Sequence, residues 1–425
     1  MPHPFLSSRQ NVLDPIRPGA NTKVWESWLI FDVLESDTRR LAPRPRLFLS
    51  MTPLELGFLM TRLTWLALLM VVPAAIVGCN VFNPPVPGIP SVPGGKTPSD
   101  LIGSDFESAT PLQLDTEGNA VIAGTIEPNT PDVYDLGPCN PGDRIVVTVD
   151  PIPGSQLDPT TAIFDTDSEL FALNDDLDLS SGLIGSRIDE VVWVAADHYY
   201  LAISKFFFDS QGGDYEGTVR IVRGGIVDAP LPQFLVLNFA GGTADIADEG
   251  TFNLDPFDAA DIDAVYIGQT DQIKAKIVET VRENYEDTSL QIVTSDDPAP
   301  QPGTFSTIWF GGFSATKFGV AETVDQGNRD YCDDGIIFTD NFDKPFVPQP
   351  TADEIGIAIG NVAAHEAGHL LGLNHVADVT ALMDDTGTAS TLKADQEFKT
   401  APLSSTVFPI GLQNAPLLLG RVVPM

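Results

Sequence analysis

Residues 365–375 read His-Glu-Ala-Gly-His-Leu-Leu-Gly-Leu-Asn-His, and no other stretch constrains the chain as tightly. Two histidines four apart on a helix stand one above the other on a single face, where both imidazoles can grip one ion. Glu366 lies on the same side, within reach of a water on that ion. Gly372 marks where the helix has to stop, because glycine tolerates the positive φ that turns the chain back. The reversal brings His375 round as a third ligand. Three neutral imidazoles leave one position open, the layout of a catalytic zinc site. Such a site acidifies a water and polarises a carbonyl, while Glu366 takes the proton and later passes it on. With five histidines in the chain, an accidental match has a probability of about 10⁻⁵ or lower. The competing reading is a helix with buried structural histidines.

The text before this string is mixed α/β. QFLVLNF (233–239) reads as a strand, and residues 270–286 as an amphipathic helix with Ile273, Ile277, Val281 and Tyr285 at steps of four. LQIVTS, FSTIWF, GVAETVD and GIIFTD come next as strands. The last helix is expected to open at Thr351, where Thr-Ala-Asp-Glu behind Pro350 forms a capping box, and to run on through IGIAIGNVAAHEAGHLLGL.

The histidine string resembles the metal-binding helix and turn of the metzincins, and the likeness continues beyond it. Met383 follows His375 by eight residues in Ala381-Leu382-Met383, the Met-turn spacing of the matrixin branch, whose methionine lies beneath the metal. His375-Val376-Ala377-Asp378 departs from the usual His-Ser, and Asp384-Asp385 stands where matrixins often have Tyr-Pro. No tyrosine follows Met383, so an extra tyrosine ligand is not expected and the substrate-pocket wall must differ from the matrixin pattern. The resemblance covers roughly residues 231–425 and is specific only over 365–383. It implies that GVAETVD (319–325) is the sheet's edge strand above the cleft, where an extended substrate would add by β-augmentation. GIIFTD (335–340) would be the next strand. Asp325, Asp330, Asp333, Asp334 and Asp340 cluster around these strands in the sequence. Matrixin-like enzymes bind calcium with such oxygen ligands, although in a chain this acidic a solvated loop is the simpler reading for any one of them. The cysteine-containing prodomain switch of matrixins is not found, since Cys139 in GPCNPGD lacks its flanks.

From about Phe106 to Val222 the pattern is different. VIAGTIE, DVYDLG, RIVVTVD, TAIFDTD, VVWVAAD, YYLAIS and TVRIVR are short alternating or β-branched runs separated by Asn-Pro, Pro-Gly, Gly-Gly and Asp-rich breaks. About seven such strands read as an antiparallel β-sandwich. In pattern the run resembles the pre-peptidase C-terminal modules of bacterial secreted peptidases, here placed ahead of the catalytic part. It offers no cluster of catalytic residue types. Activity is therefore expected in roughly 228–425, with the sandwich as spacer, docking surface or folding aid.

The net charge is −36, and its distribution matters. The first 78 residues hold 8 of the 23 basic and 6 of the 59 acidic side chains, leaving 15 against 53 from Cys79 onward. Such a surface repels nucleic acid and anionic headgroups. Nucleic-acid binding is excluded. Leu63–Gly78 (LTWLALLMVVPAAIVG) is apolar, preceded by Arg62 and broken by Pro73. It is short for a span of about 20 residues and has the layout of a secretory signal. It ends Ile76-Val77-Gly78-Cys79, which resembles the bacterial lipobox, whose cysteine is diacylated and becomes the mature N-terminus. An uncleaved anchor helix or an ordinary cleaved signal is the alternative. Residues 1–59 read as an extension from an upstream start, Met60 or Met51 being a more typical beginning. The Pro/Gly-rich text after Cys79 reads as a semi-extended spacer. Cys139 and Cys332 can pair only if they meet in space.

These readings combine into a multidomain chain: a lipoprotein-type signal (60–78), a linker (79–104), an antiparallel β-sandwich (105–226) and an α+β metzincin-like, or zincin, catalytic domain (228–425). The expected function is an exported zinc endopeptidase, membrane-anchored through Cys79 and facing the periplasm or cell exterior, or else secreted. Its cofactor would be Zn²⁺, with Ca²⁺ a second candidate, and its partners protein or peptide substrates. Two other classes compete: a non-catalytic surface or adhesion protein on a metzincin fold, and a zinc hydrolase of a non-peptide bond.

Overall fold

A computed structural model describes residues 102–127, 130–176, 183–207, 211–247 and 249–425. The upstream extension, the signal segment, Cys79 and nearly all of the Pro/Gly-rich spacer lie outside the described residues. Among the described residues no helix is long and apolar enough to cross a membrane. Those residues are rich in β-structure, arranged in five sheets.

Nine strands come first: β1 (Thr110–Pro111), β2 (Asn119–Ile126), β3 (Asp132–Cys139), β4 (Arg144–Pro151), β5 (Pro159–Phe164), β6 (Leu170–Asn174), β7 (Ser186–Val191), β8 (Ala196–Lys205) and β9 (Gly213–Val222). They form one sheet in the order β1-β3-β8-β5-β6 and another in the order β2-β9-β4-β7. All pairings are antiparallel except β1 with β3. The two-residue period of a strand explains how the sheets meet. Ile145, Val147 and Val149 of β4 and Tyr199, Leu201 and Ile203 of β8 enter one shared core. The alternate residues of β8, Tyr200 and Ala202, face the other way into a second cluster. The five-stranded sheet is thus covered on both faces, which is why all six residues of β5 are buried.

Seven strands were expected here, and the difference is instructive. VVWVAAD (191–197) is not one strand: its middle, 192–195, is the corner between β7 and β8, held by Val192 N–H donating to the Asp143 carbonyl (2.7 Å). The unread strand β7 is polar on its outer face, where Arg144 and Arg187 pair with Asp189. Cys139 is buried, Cys332 is exposed, and no disulfide joins them.

The second half continues with β10 (Phe234–Asn238), a hairpin of β11 (Gly242–Ile246) and β12 (Gly250–Leu254), α1 (Ala259–Ile262), α2 (Thr270–Asn284), β13 (Gln291–Thr294), β14 (Phe305–Phe310), β15 (Gly319–Ala321) and β16 (Asp334–Ile337). After these come α3 (Ala352–Leu370), α4 (Ala389–Leu392), β17 (Thr400–Pro402), β18 (Leu412–Asn414) and α5 (Ala415–Val422). The main sheet runs β13-β10-β14-β16-β15, parallel except for β15, which pairs antiparallel with β16 at the edge. The edge strand is shorter than GVAETVD suggested. The capping box at Thr351 and Glu354 is present, but α3 is not the last helix, since α4 and α5 follow it.

Ile273, Ile277, Val281 and Tyr285 of the α2 region are all buried in the core that also takes in α3. From Ile355 to Leu370 nearly every residue of α3 is buried, the mark of a helix lying inside a domain. The two halves also share apolar packing. Leu403 and Phe408, from the C-terminal segment, share a cluster with Val133, Ala162, Phe164 and Leu173 of the first sheet. The first half is therefore packed onto the second, not merely strung before it.

Candidate metal centre

Two local features bring the three histidines together. α3 carries His365 and His369 on one face and ends at Leu370; Gly372 then adopts φ of 91° and reverses the chain. A methyl at position 372 would also stand 2.7 Å from the Asp325 carbonyl oxygen, so the turn is closed to other residues on two counts. The reversal presents His375. All three pairs of Nε2 atoms lie 3.1 Å apart. Among the described residues this is the one set of three or more His, Cys, Asp or Glu whose ligand atoms come together.

Each ring's state is set by its surroundings. His365 Nδ1 lies 2.7 Å from the Leu382 carbonyl oxygen, and His369 Nδ1 lies 2.7 Å from that of Leu373. A carbonyl can only accept, so Nδ1 carries the proton in both rings and Nε2 keeps its lone pair. Burial lowers the pKa of all three, taking His369 down to about 3, and the neighbouring imidazoles add to the fall at His369 and His375. The Nε2 lone pairs of His365 and His369 thus point toward the place where His375 Nε2 also lies. Tetrahedral zinc, with Zn–N bonds of about 2.0–2.1 Å, sets nitrogen ligands about 3.3 Å apart. The donor set fits that ion.

Met383 lies against the same helix, α3. Val376 N–H donates to the Met383 carbonyl (2.9 Å), so the residue after His375 is tied to the turn. A methyl on Gly368 would meet Met383 Sδ at 2.7 Å, so the sulfur sits directly against the helix between the first two histidines. The Asp384-Asp385 pair has structural partners: Asp384 accepts from Thr386, and Asp385 accepts from the Ser404 hydroxyl.

Glu366 is 1% exposed and faces the edge strand. A methyl added at Gly319 would stand 2.5 Å from Glu366 Oε1 and 2.7 Å from its Cγ. Sequence reading missed this contact and the Leu382 carbonyl at His365, because both are set by pairing across the fold; the Leu373 carbonyl lies only four residues after His369, but its role appears once Gly372 has turned the chain.

The five aspartates do not form one group. Asp325, Asp330, Asp333 and Asp334 lie in and beside the loop between β15 and β16, whereas Asp340 is in a 3₁₀ turn (Thr339–Asp343) near Asp261 and Asp343. Two of them serve their own loop: Asp325 accepts from Asp330 N–H (2.7 Å) and Asp330 from Cys332 N–H (2.9 Å). Burial pushes Asp325 up to about 6 and Asp333 up to about 9. The loop also touches the histidine helix, Asp325 N–H donating to the His369 carbonyl (3.0 Å).

A family model described as matrixin (Peptidase_M10) matches residues 301–399, under a quarter of the chain, from just before β14 through the Met-turn. No curated protein matches. Solved structures with local similarity include the periplasmic g-type lysozyme inhibitor PliG of Aeromonas hydrophila, 14% identical over 27% of this chain and 95% of that one, TM-score 0.22. The pre-peptidase C-terminal domain of Bacillus anthracis collagenase is 16% identical over 31% of this chain and all of that one, TM-score 0.20. Archaemetzincin of Methanopyrus kandleri is 11% identical over 39% and 86%, TM-score 0.23. The matrixin match and the three-histidine cluster together support a zinc metallopeptidase in general.

Proposed function

We propose that the chain is an exported zinc-dependent endopeptidase, lipid-anchored through Cys79, in which an antiparallel β-sandwich (105–226) precedes an α+β metzincin-like catalytic domain (228–425). The observation that carries this reading is the convergence of three imidazole Nε2 atoms at 3.1 Å, with Glu366 on the helix that carries two of them. His365, His369 and His375 would hold the ion. Zinc supplies, when bound, the Lewis acidity that makes water a nucleophile and polarises a carbonyl. Glu366 accepts the proton at its carboxylate and returns it to the departing amine. β15 is the edge strand of the main sheet, the element to which an extended peptide would add by β-augmentation, and a polypeptide is the substrate class this reading implies. The acidic loop between β15 and β16 is the calcium candidate, on the chemistry of its carboxylates.

The test uses the purified full-length protein. Metal analysis should find about one zinc per chain, and a casein-type digestion should show proteolysis. Glu366→Gln should keep the zinc and lose on the order of 10²–10⁴-fold in turnover, the usual weight of general acid–base catalysis. His369→Ala should lose the metal. Stoichiometric iron or copper, or no metal, overturns the zinc reading. A zinc-loaded wild type without proteolysis would point to the binding-protein or non-peptide alternative.

A further inference from the structure

We infer that Gln413 is the positioning residue for His375, and that the first half of the chain holds Gln413 in place. This inference rests on the proposed zinc site. His365 and His369 are fixed by the regular geometry of α3, but His375 lies beyond its end, on a segment with no helix or strand of its own. Something outside the helix must set it. Gln413, fully buried in β18, clamps both backbone groups of the preceding residue: Asn374 N–H donates to Gln413 Oε1, and Gln413 Nε2 donates to the Asn374 carbonyl, each at 2.6 Å. On the other side, Ser404 N–H donates to the carbonyl of His375 itself (3.1 Å).

The segment that supplies these contacts is anchored elsewhere. Leu412 N–H donates to the Ser168 carbonyl (2.9 Å), and Asn414 Nδ2 donates to both carboxylate oxygens of Glu169 (2.9 Å each). The residues on either side of Gln413 are thus bonded to the turn before β6. Phe408 packs against Phe164 of β5 at 5.6 Å between ring centroids, with Leu403 in the same cluster. A continuous relay runs from Glu169 and Phe164 through β18 to Asn374 and His375. The third imidazole is therefore placed by a surface on the first half of the chain, whose role exceeds that of a spacer.

The experiment measures zinc affinity by competition with a chromogenic chelator, on full-length wild type, Gln413→Met, Gln413→Ala and Glu169→Ala. Cobalt(II) absorption spectra and Tm are recorded alongside. Gln413→Met fills the volume without the two hydrogen bonds. It should weaken zinc binding about 10- to 100-fold, the usual effect of losing a partner that orients a ligand, and should lower the intensity of the tetrahedral cobalt bands. Gln413→Ala should lose at least as much. Glu169→Ala touches no ligand and should still weaken zinc binding severalfold at temperatures where it is folded. A folded Gln413→Met with wild-type affinity and spectrum overturns the inference. If neither Gln413 variant folds, Glu169→Ala decides: severalfold weaker zinc binding supports the relay and unchanged binding overturns it. A wild type that takes up no zinc overturns the metal reading and this inference with it. A zinc-loaded wild type whose variants hold zinc equally well overturns the inference alone.

Discussion

Gly319→Ala isolates the contact between the edge strand and Glu366, the proposed general base. The added methyl would lie 2.5 Å from Glu366 Oε1, 2.7 Å from Cγ and 2.9 Å from Cδ. Carbon–carbon contacts settle at about 3.5–4.0 Å, so the side chain has to withdraw by about 1 Å or the strand has to move outward. Gly319 lies on a strand paired to β16 and buried, which resists the second route. A shift of about 1 Å in a catalytic group costs up to about 100-fold in rate, or about 2.7 kcal/mol of barrier. The expected outcome is a 10- to 100-fold fall in kcat/KM on a quenched fluorogenic peptide. Zinc content should remain at the wild-type level, because the three atoms nearest the methyl all belong to Glu366. Two results would refute the reasoning. Full activity would mean that the carboxylate's position is not critical, and loss of zinc would mean that the strand, not Glu366, had yielded.

Cys79→Ser, expressed in a bacterium that processes lipoproteins, should move the protein from the membrane to the soluble exported fraction; unchanged membrane association would favour an uncleaved helix. Asp132 provides a pH test in the first half. It is 4% exposed, and burial raises its carboxyl to about 6 against the opposing hydrogen bond from the Tyr215 hydroxyl. A carboxyl whose folded pKa exceeds the unfolded value of about 3.9 contributes stability below about pH 4 and loses it as pH rises through about 6. Denaturation of wild type relative to Asp132→Asn should therefore lose on the order of 2–3 kcal/mol between pH 4 and 7, and a flat difference would sink the assignment.

Much of the candidate site was legible because its devices are local. The i, i+4 histidines, the glycine stop, the capping box at Thr351 and the Met383 spacing each need only a few neighbouring residues. The apolar steps of α2 were legible for the same reason. Misreadings arose where local pattern and tertiary use diverge. VVWVAAD has the composition of a strand but turns a corner over 192–195, while the strand that ends at its first residue, Ser186–Val191, carries charges on its outer face. The five aspartates are close in sequence, yet Asp340 belongs to a different neighbourhood.

The sequence by itself determined the candidate donor set: which side chains can ligate a metal, in what spacing, and with which carboxylate beside them. The three-dimensional arrangement decided what makes that donor set specific to this chain. The carbonyl that orients His365 comes from a residue 17 positions away, and the amide that clamps the segment before His375 from one 39 positions away. Glu366 is met by a glycine on another element, and the packing of Phe408 on Phe164 joins the two halves. No periodicity or motif announces such pairs. A hydrogen bond or a close packing contact depends on distance after folding, and that distance is set by sheet order, helix placement and the shared core, not by separation along the chain.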